Sequence, residues 1–152
     1  GIYYIAASRY GLASGTSTGN FILTLEEADA SGQGGSPVAA LFMRQGTVQE
    51  STITAEQPQR YYRFEGRQND IISISMDRID GDLDAYLVLA DSNLRELVQD
   101  DDSGGNQNAR IDRFTIPETG LYYVRATRYP GADNPNTRGS FTLAIAQIFD
   151  QP

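Results

Sequence analysis

Cysteine, histidine, tryptophan and lysine are all absent from this chain. Without cysteine there is no disulfide framework and no thiolate metal site, and the redox compartment leaves no direct trace, although secretion is compatible with the lack. Without histidine, cysteine or lysine, the usual base for a serine nucleophile, the thiolate and the Schiff-base amine are missing. Only carboxylates and tyrosines remain for proton transfer. All 12 basic residues are arginine, a bias that genome composition explains more simply than selection for planar, bidentate ion pairs. Long apolar runs are also missing, so no segment is predicted to span a membrane as a helix. Acidic residues number 20 and the formal charge is −8. Such a field repels phosphate backbones and anionic membranes, which makes nucleic acid a poor partner. The chain begins at Gly1, with neither a methionine nor an apolar leader, which reads as a processed or excised segment.

What is present, first, is an internal repeat. Gly1-Ile2-Tyr3-Tyr4-Ile5-Ala6-Ala7-Ser8-Arg9-Tyr10 recurs as Gly120-Leu121-Tyr122-Tyr123-Val124-Arg125-Ala126-Thr127-Arg128-Tyr129. The offset is 119 residues until one extra residue in the second copy makes it 120, after which Gly19, Phe21 and Leu23 fall opposite Gly139, Phe141 and Leu143. Residues 1–27 are therefore predicted to be the closing strand pair, a hairpin, of an incomplete repeat. Residues 28–45 read as a Gly/Ser/Pro-containing linker. Within them the short apolar run Val38 to Met43 reads as a docked connector, with a short strand or helical turn as alternatives. Residues 46–149 form the complete module.

Two-residue alternation between turn signals dominates the module, an all-β pattern. Ile72, Ile74 and Met76 alternate with Ser73 and Ser75, and Phe141, Leu143 and Ile145 alternate with Thr142 and Ala144. Strands are predicted near 2–9, 20–26, 47–54, 59–65, 70–77, 84–90, 94–99, 110–116, 120–128 and 139–147. The expected fold is an antiparallel, jelly-roll-like β-sandwich of about eight strands, preceded by the two closing strands of a second copy.

Six features in order then support a resemblance. They are Tyr61-Tyr62-Arg63-Phe64 followed by Gly66 and Asp70; Gly81-Asp82-Leu83-Asp84-Ala85-Tyr86-Leu87; Asp100-Asp101-Asp102-Ser103-Gly104-Gly105; Asn108-Ala109-Arg110-Ile111; Pro117-Glu118-Thr119-Gly120-Leu121-Tyr122-Tyr123-Val124; and Gly139-Ser140-Phe141-Thr142-Leu143. From about Gly46 to Ile148 this order resembles the bacterial pre-peptidase C-terminal domain family, and the Ala-Thr-Arg-Tyr segment resembles versions found in tandem arrays of exported bacterial proteins. The resemblance implies an extracellular, non-catalytic sandwich. It implies no single ligand, since members are linked to substrate or matrix binding, to roles beside proteases and to structural spacing.

Three groups of residues are candidate sites. Asp80, Asp82 and Asp84 have D-x-D-x-D spacing, but Ala85 replaces the glycine an EF-hand needs, Asp91 stands where its bidentate glutamate belongs, and the segment between is a strand. The looser expectation is that Asp82 and Asp84 meet Asp100, Asp101 and Asp102 at one end of the sandwich, where hard oxygen ligands suit calcium. The competing reading is a solvated turn whose side chains cap backbone amides, with Arg110 neutralising part of the charge. Alternation turns Tyr62 and Tyr122 inward and Tyr61 and Tyr123 outward, so Tyr61, Arg63, Tyr123 and Arg125 share an outer face, either as ordinary strand residues or as a surface that stacks on sugars or proteins. Finally, Tyr3, Ile5, Phe21, Leu23 and Leu25 are the apolar faces of the first strand pair, and these need a partner.

The leading expectation is a non-enzymatic extracellular or cell-surface module that assembles in tandem or by strand complementation into a fibre or surface layer, with copies of itself or adjacent repeats as partners. The alternative is an accessory module of a secreted hydrolase that grips extracellular polysaccharide or matrix protein. A carboxylate-based glycosidase is a distant third, because the acidic residues fall in turns and no cleft is evident.

Overall fold

A computed structural model describes residues 34–131 and 134–149, together with Thr16, Thr18 and Gly19. Tyr3, Ile5, Phe21, Leu23 and Leu25, and the two strands expected around them, lie outside the described residues.

Among the described residues, nine strands form two packed sheets: β1 (Leu41–Phe42), β2 (Thr47–Ile53), β3 (Gln59–Gly66), β4 (Ile71–Arg78), β5 (Ala85–Ala90), β6 (Glu96–Asp100), β7 (Ala109–Thr115), β8 (Gly120–Arg128) and β9 (Gly139–Ile148). One sheet, here sheet A, has the order β1-β3-β8-β5-β6, and the other, sheet B, the order β2-β9-β4-β7. Every pairing is antiparallel except β1 with β3, which is parallel.

The alternation read from the sequence sets the core. Tyr62, Phe64, Leu87, Leu89, Tyr122 and Val124 of sheet A face Ile72, Ile74, Met76, Phe141, Leu143 and Ile145 of sheet B, and all are buried. The Phe64 and Tyr122 rings stack with centroids 5.7 Å apart. The two inward tyrosines end differently. The Tyr122 hydroxyl donates to the Glu118 carbonyl at 2.7 Å, pinning the turn before β8, whereas the Tyr62 hydroxyl is buried without a hydrogen-bond partner. Burial pushes the Tyr62 pKa up, opposed by the Ser51 hydroxyl, which lies near it without meeting hydrogen-bond geometry, and by the charge of Arg60.

Two expectations change. The linker stretch from Gly34 onward docks on sheet A, and within it the run Val38 to Met43, read as a docked connector with a short strand as an alternative, contains the short strand β1. Gly34, at φ 77°, closes a turn by donating to the Ala39 carbonyl, and its own carbonyl accepts from the Tyr61 N–H. Leu41 and Phe42 then extend the sheet, and Met43 enters the core. Composition marks this stretch as flexible; backbone groups satisfied by β3 make it part of the sandwich.

The second change concerns the repeated pair. β8 and β9 are not a hairpin: β8 sits between β3 and β5 in sheet A, and β9 between β2 and β4 in sheet B. Each is a central strand flanked on both sides. The link between them crosses from sheet to sheet, and where it arrives, Gly139 lies against the Asp80 carbonyl and Gly81 against the Arg138 carbonyl. A Cβ at either position would collide with backbone, so both contacts require glycine.

Candidate functional site

At one end of the sandwich the acidic loops do meet, around Arg78. Its guanidinium donates to the Leu83 carbonyl at 3.1 Å and to Gln107 Oε1 at 3.0 Å, and its N–H donates to Asn108 Oδ1 at 2.9 Å. It therefore ties the 80–84 loop to the 101–108 loop. Most of the carboxylates there cap backbone: Asp80 accepts from Ser140 N–H, Asp82 from Arg138 N–H, Asp100 from Ser103 and Arg110 N–H, and Asp101 from Asp102 N–H. The Arg110 main chain serves Asp100, at 2.6 Å. This is the turn chemistry that Asp and Asn bring to loops.

Asp84 differs. It is buried, and its carboxyl is held above the ordinary range first by desolvation and then by the charges of Asp102 and Asp101, with Arg78 pulling down. Thus Asp84, Asp101 and Asp102 are within electrostatic reach of one another. Among the described residues, however, no group of three acidic side chains is placed to hold a metal ion. Asp91 lies at the other end of β5, where Asn93 and Arg95 N–H donate to its carboxylate and Arg95 Nε pairs with it at 3.2 Å. Those contacts, led by the Arg95 N–H, lower its pKa.

The second candidate is the outer face of sheet A. In register, Tyr61 lies opposite Arg125 and Arg63 opposite Tyr123 across β3 and β8, and Val88 lies opposite Arg125 across β8 and β5. Alternation therefore places Tyr61, Arg63, Tyr123, Arg125, Val88 and Ala90 on one surface. Its centre is a hollow of about 80 Å³ lined by Tyr61, Tyr123, Arg125, Val88, Leu94 and Pro37. Arg63 is exposed on the same face beside it. Arg125 Nη2 pairs with Glu96 at 3.0 Å, while its Nε is buried with no hydrogen-bond partner. Tyr86 continues the face, its ring tilted by 52° against that of Tyr129 with centroids 5.6 Å apart, and its hydroxyl donates to Gln99 at 2.6 Å. The result is an aromatic surface with a cation fixed in it, suited to stacking on planar or ring-shaped groups.

Sequence reasoning placed the tyrosines and arginines here but missed Val88, Leu94 and Pro37. Val88, only 2% exposed though outward-facing, had a signal: Tyr86-Leu87-Val88-Leu89 is continuous rather than alternating, the mark of a strand covered on both faces. Leu94 had none. It is presented by a turn built on Asp91, at φ 62° and 47% exposed, an unfavourable conformation for a bulky residue.

A third feature is an open groove of about 970 Å³ at the end of the sandwich opposite the acidic loops, with Phe42, Met43, Gln45, Gly66, Leu121 and Gln147 on its walls. Its lining mixes the apolar Phe42, Met43 and Leu121 with the charged Arg44, Glu65, Arg67 and Asp70. Among the described residues no helix is long and apolar enough to cross a membrane.

Comparison with known proteins accords with this geometry. Residues 58–128 match the bacterial pre-peptidase C-terminal domain family. Among solved structures, the pre-peptidase C-terminal domain of collagenase from Bacillus anthracis is similar in fold, with a TM-score of 0.57 at 16% identity over 70% of this chain and 93% of that one. PliG of Salmonella Typhimurium, a periplasmic inhibitor of g-type lysozyme, gives a TM-score of 0.47 at 15% identity over 72% of this chain and 99% of its own. No curated protein matches by sequence. Residues 58–128 thus match the bacterial pre-peptidase C-terminal domain family, whose domains are non-catalytic accessory units typical of secreted bacterial proteins, and the fold of the chain is similar to that of such a domain.

Proposed function

We propose that the protein is a non-enzymatic, extracellular or cell-surface module that works beside copies of itself or adjacent repeats, in tandem or by strand complementation, as part of a fibre or surface layer. One observation carries the reading. Residues 1–25 repeat the sequence of β8 and β9, two strands that each need a neighbour on both sides. The described body supplies one set of flanking strands, and 120–148 already fill it. A second copy of the pair therefore calls for a second set, which an adjacent repeat or another molecule would provide. Electron microscopy and sedimentation of the purified chain test this. Regular filaments that are reduced to no more than a dimer on deleting residues 1–26 are the expected result. A monodisperse monomer with or without those residues would overturn it.

A second reading rests on the outer face of sheet A, which suits a binding module appended to a secreted hydrolase, holding extracellular polysaccharide or matrix protein. The similar fold from a collagenase makes collagen the first matrix protein to try. Under this reading, replacing Tyr61 and Tyr123 by alanine should weaken retention on the bound polymer by about tenfold or more, the scale at which aromatic anchors act. Retention unchanged by both substitutions would sink it.

A further inference from the structure

A sandwich has four sheet edges, and exposed edges are ordinarily blunted against pairing with other chains. Three are blunted here. β1 has two residues. β6 has five and a register break against β5 between Leu89 and Ala90. β7 is broken in register between its partners Ile72 and Ile74, with Arg113 at φ 51°. The fourth, β2, has no such device. Its seven residues run in unbroken register with β9, from Thr47 opposite Ile145 to Ile53 opposite Gly139. They include no proline, lysine or arginine and a single charge, Glu50. Among the described residues no strand lies on its other side.

The direction of its backbone groups can be read from two contacts. The Glu50 carbonyl accepts from the Gln49 side-chain amide at 3.1 Å, and the Thr52 carbonyl accepts from Arg60 Nε at 3.2 Å. Even-numbered residues therefore turn their polar backbone away from β9, as alternate residues of an antiparallel edge must. The Gln49 amide stands where the N–H of a neighbouring strand would stand. Beside it Val48 is 65% exposed.

We propose that β2 is the edge at which two copies of this chain pair, antiparallel across a twofold axis, joining their four-stranded sheets into one of eight strands. A twofold normal to the sheet keeps both cores on one side only if facing residues have the same parity, which allows a centre at Gln49, Glu50 or Ser51. A centre at Glu50 sets two carboxylates face to face. A centre at Ser51 directs the Glu50 N–H to a Thr52 carbonyl that Arg60 already holds. A centre at Gln49 avoids the facing carboxylates and asks only that the exposed Gln49 side-chain amide yield the Glu50 carbonyl: Val48 N–H then donates to the Glu50 carbonyl of the second copy, Glu50 N–H donates to its Val48 carbonyl, and the Glu50 stem covers Val48. The two Gln49 residues then face each other as a non-hydrogen-bonded pair, with Cα atoms about 4.5 Å apart. Because each copy has a formal charge of −8, added salt should strengthen the dimer. The proposal is independent of the tandem reading, since it uses only β2.

Sedimentation of the full chain over a range of concentration and salt is the first measurement, with association expected to rise with ionic strength. Glu50→Pro removes an outward N–H while sparing the ladder to β9, a place where an edge strand accepts proline. It should weaken the dimer by roughly tenfold or more, since a bond is lost from each half. In a chain without cysteine, Gln49→Cys should form an interchain disulfide under mild oxidation far faster than Asn93→Cys, a distant exposed control. Equal rates for the two cysteine variants, dimerisation unaffected by Glu50→Pro in a protein of unchanged near-UV spectrum, or a monomer at about 1 mM in high salt would each overturn the proposal.

Discussion

The two sheets share one core but present unlike faces to solvent. The outer face of sheet B carries small side chains on its central strands, Ser73 and Ser75 on β4 and Thr142 and Ala144 on β9. That of sheet A carries Tyr61, Tyr86, Tyr123, Arg63 and Arg125 around a floor of Val88 and Ala90, both buried although they point away from the core. A flat hydroxyl surface offers little to grip. A contoured aromatic one offers stacking area at small entropic cost, so the chemistry of the module is concentrated on sheet A while sheet B offers an edge.

The comparison can be strained from several sides. The largest effects should be equal across the sheets: Phe64→Ala in sheet A and Phe141→Ala in sheet B should each cost about 3–5 kcal/mol in urea unfolding, since both rings fill the same core. The outer faces should then separate. Val88→Ala on sheet A should cost about 1–2 kcal/mol, whereas Ser75→Ala on sheet B should stay within about 0.5 kcal/mol. Equal small costs would mean that the floor of the sheet A face is not truly packed.

The inward tyrosines provide a finer cut. Tyr122→Phe loses its bond to Glu118 and should cost about 0.5–1.5 kcal/mol, while Tyr62→Phe removes an unsatisfied buried hydroxyl and should be neutral or stabilising. Smaller still is the titration of Asp84. Its folded pKa lies above the ordinary 3.8, so the folded state holds the proton more tightly and stability falls as pH rises from that value through the raised one. Asp84→Asn should therefore raise the melting temperature at neutral pH and give no gain below the ordinary value. A gain of the same size at both pH values would remove electrostatics as its cause.

Calcium is expected to act least. Four neighbouring carboxylates already accept backbone bonds, so calorimetry should register no heat and chelator should leave melting unchanged. Saturable heat with a rise in melting temperature would instead establish calcium binding, with Asp82, Asp84, Asp100, Asp101 and Asp102 as the residues to substitute next.

Much of this was legible in the residues. Strict alternation in 70–77 and 139–147 revealed both the strands and their inward faces, because one-sided burial writes a period of two into the sequence. β1 was partly legible: the apolar run Val38 to Met43 marked a docked connector with a short strand as an alternative, but a two-residue strand has no period, and Leu41 and Phe42 become a strand only because β3 offers a free edge. The outer face was half legible. Its tyrosines and arginines followed from parity, but Leu94 belongs to it through a turn conformation with no compositional signature, and Val88 shows itself only as a run that fails to alternate.

By itself, the sequence determined the β class, the core, the absence of the usual catalytic bases, and a duplicated strand pair. Those are properties of residue type and spacing, which local sterics and burial translate directly. Tertiary structure alone decided that β8 and β9 belong to different sheets, that the acidic loops are gathered by Arg78 and capped, and that β2 is the unblunted edge among the described strands. Each depends on which strands lie side by side, and pairing between residues distant in the chain is a property of the whole assembly of strands that no single segment encodes.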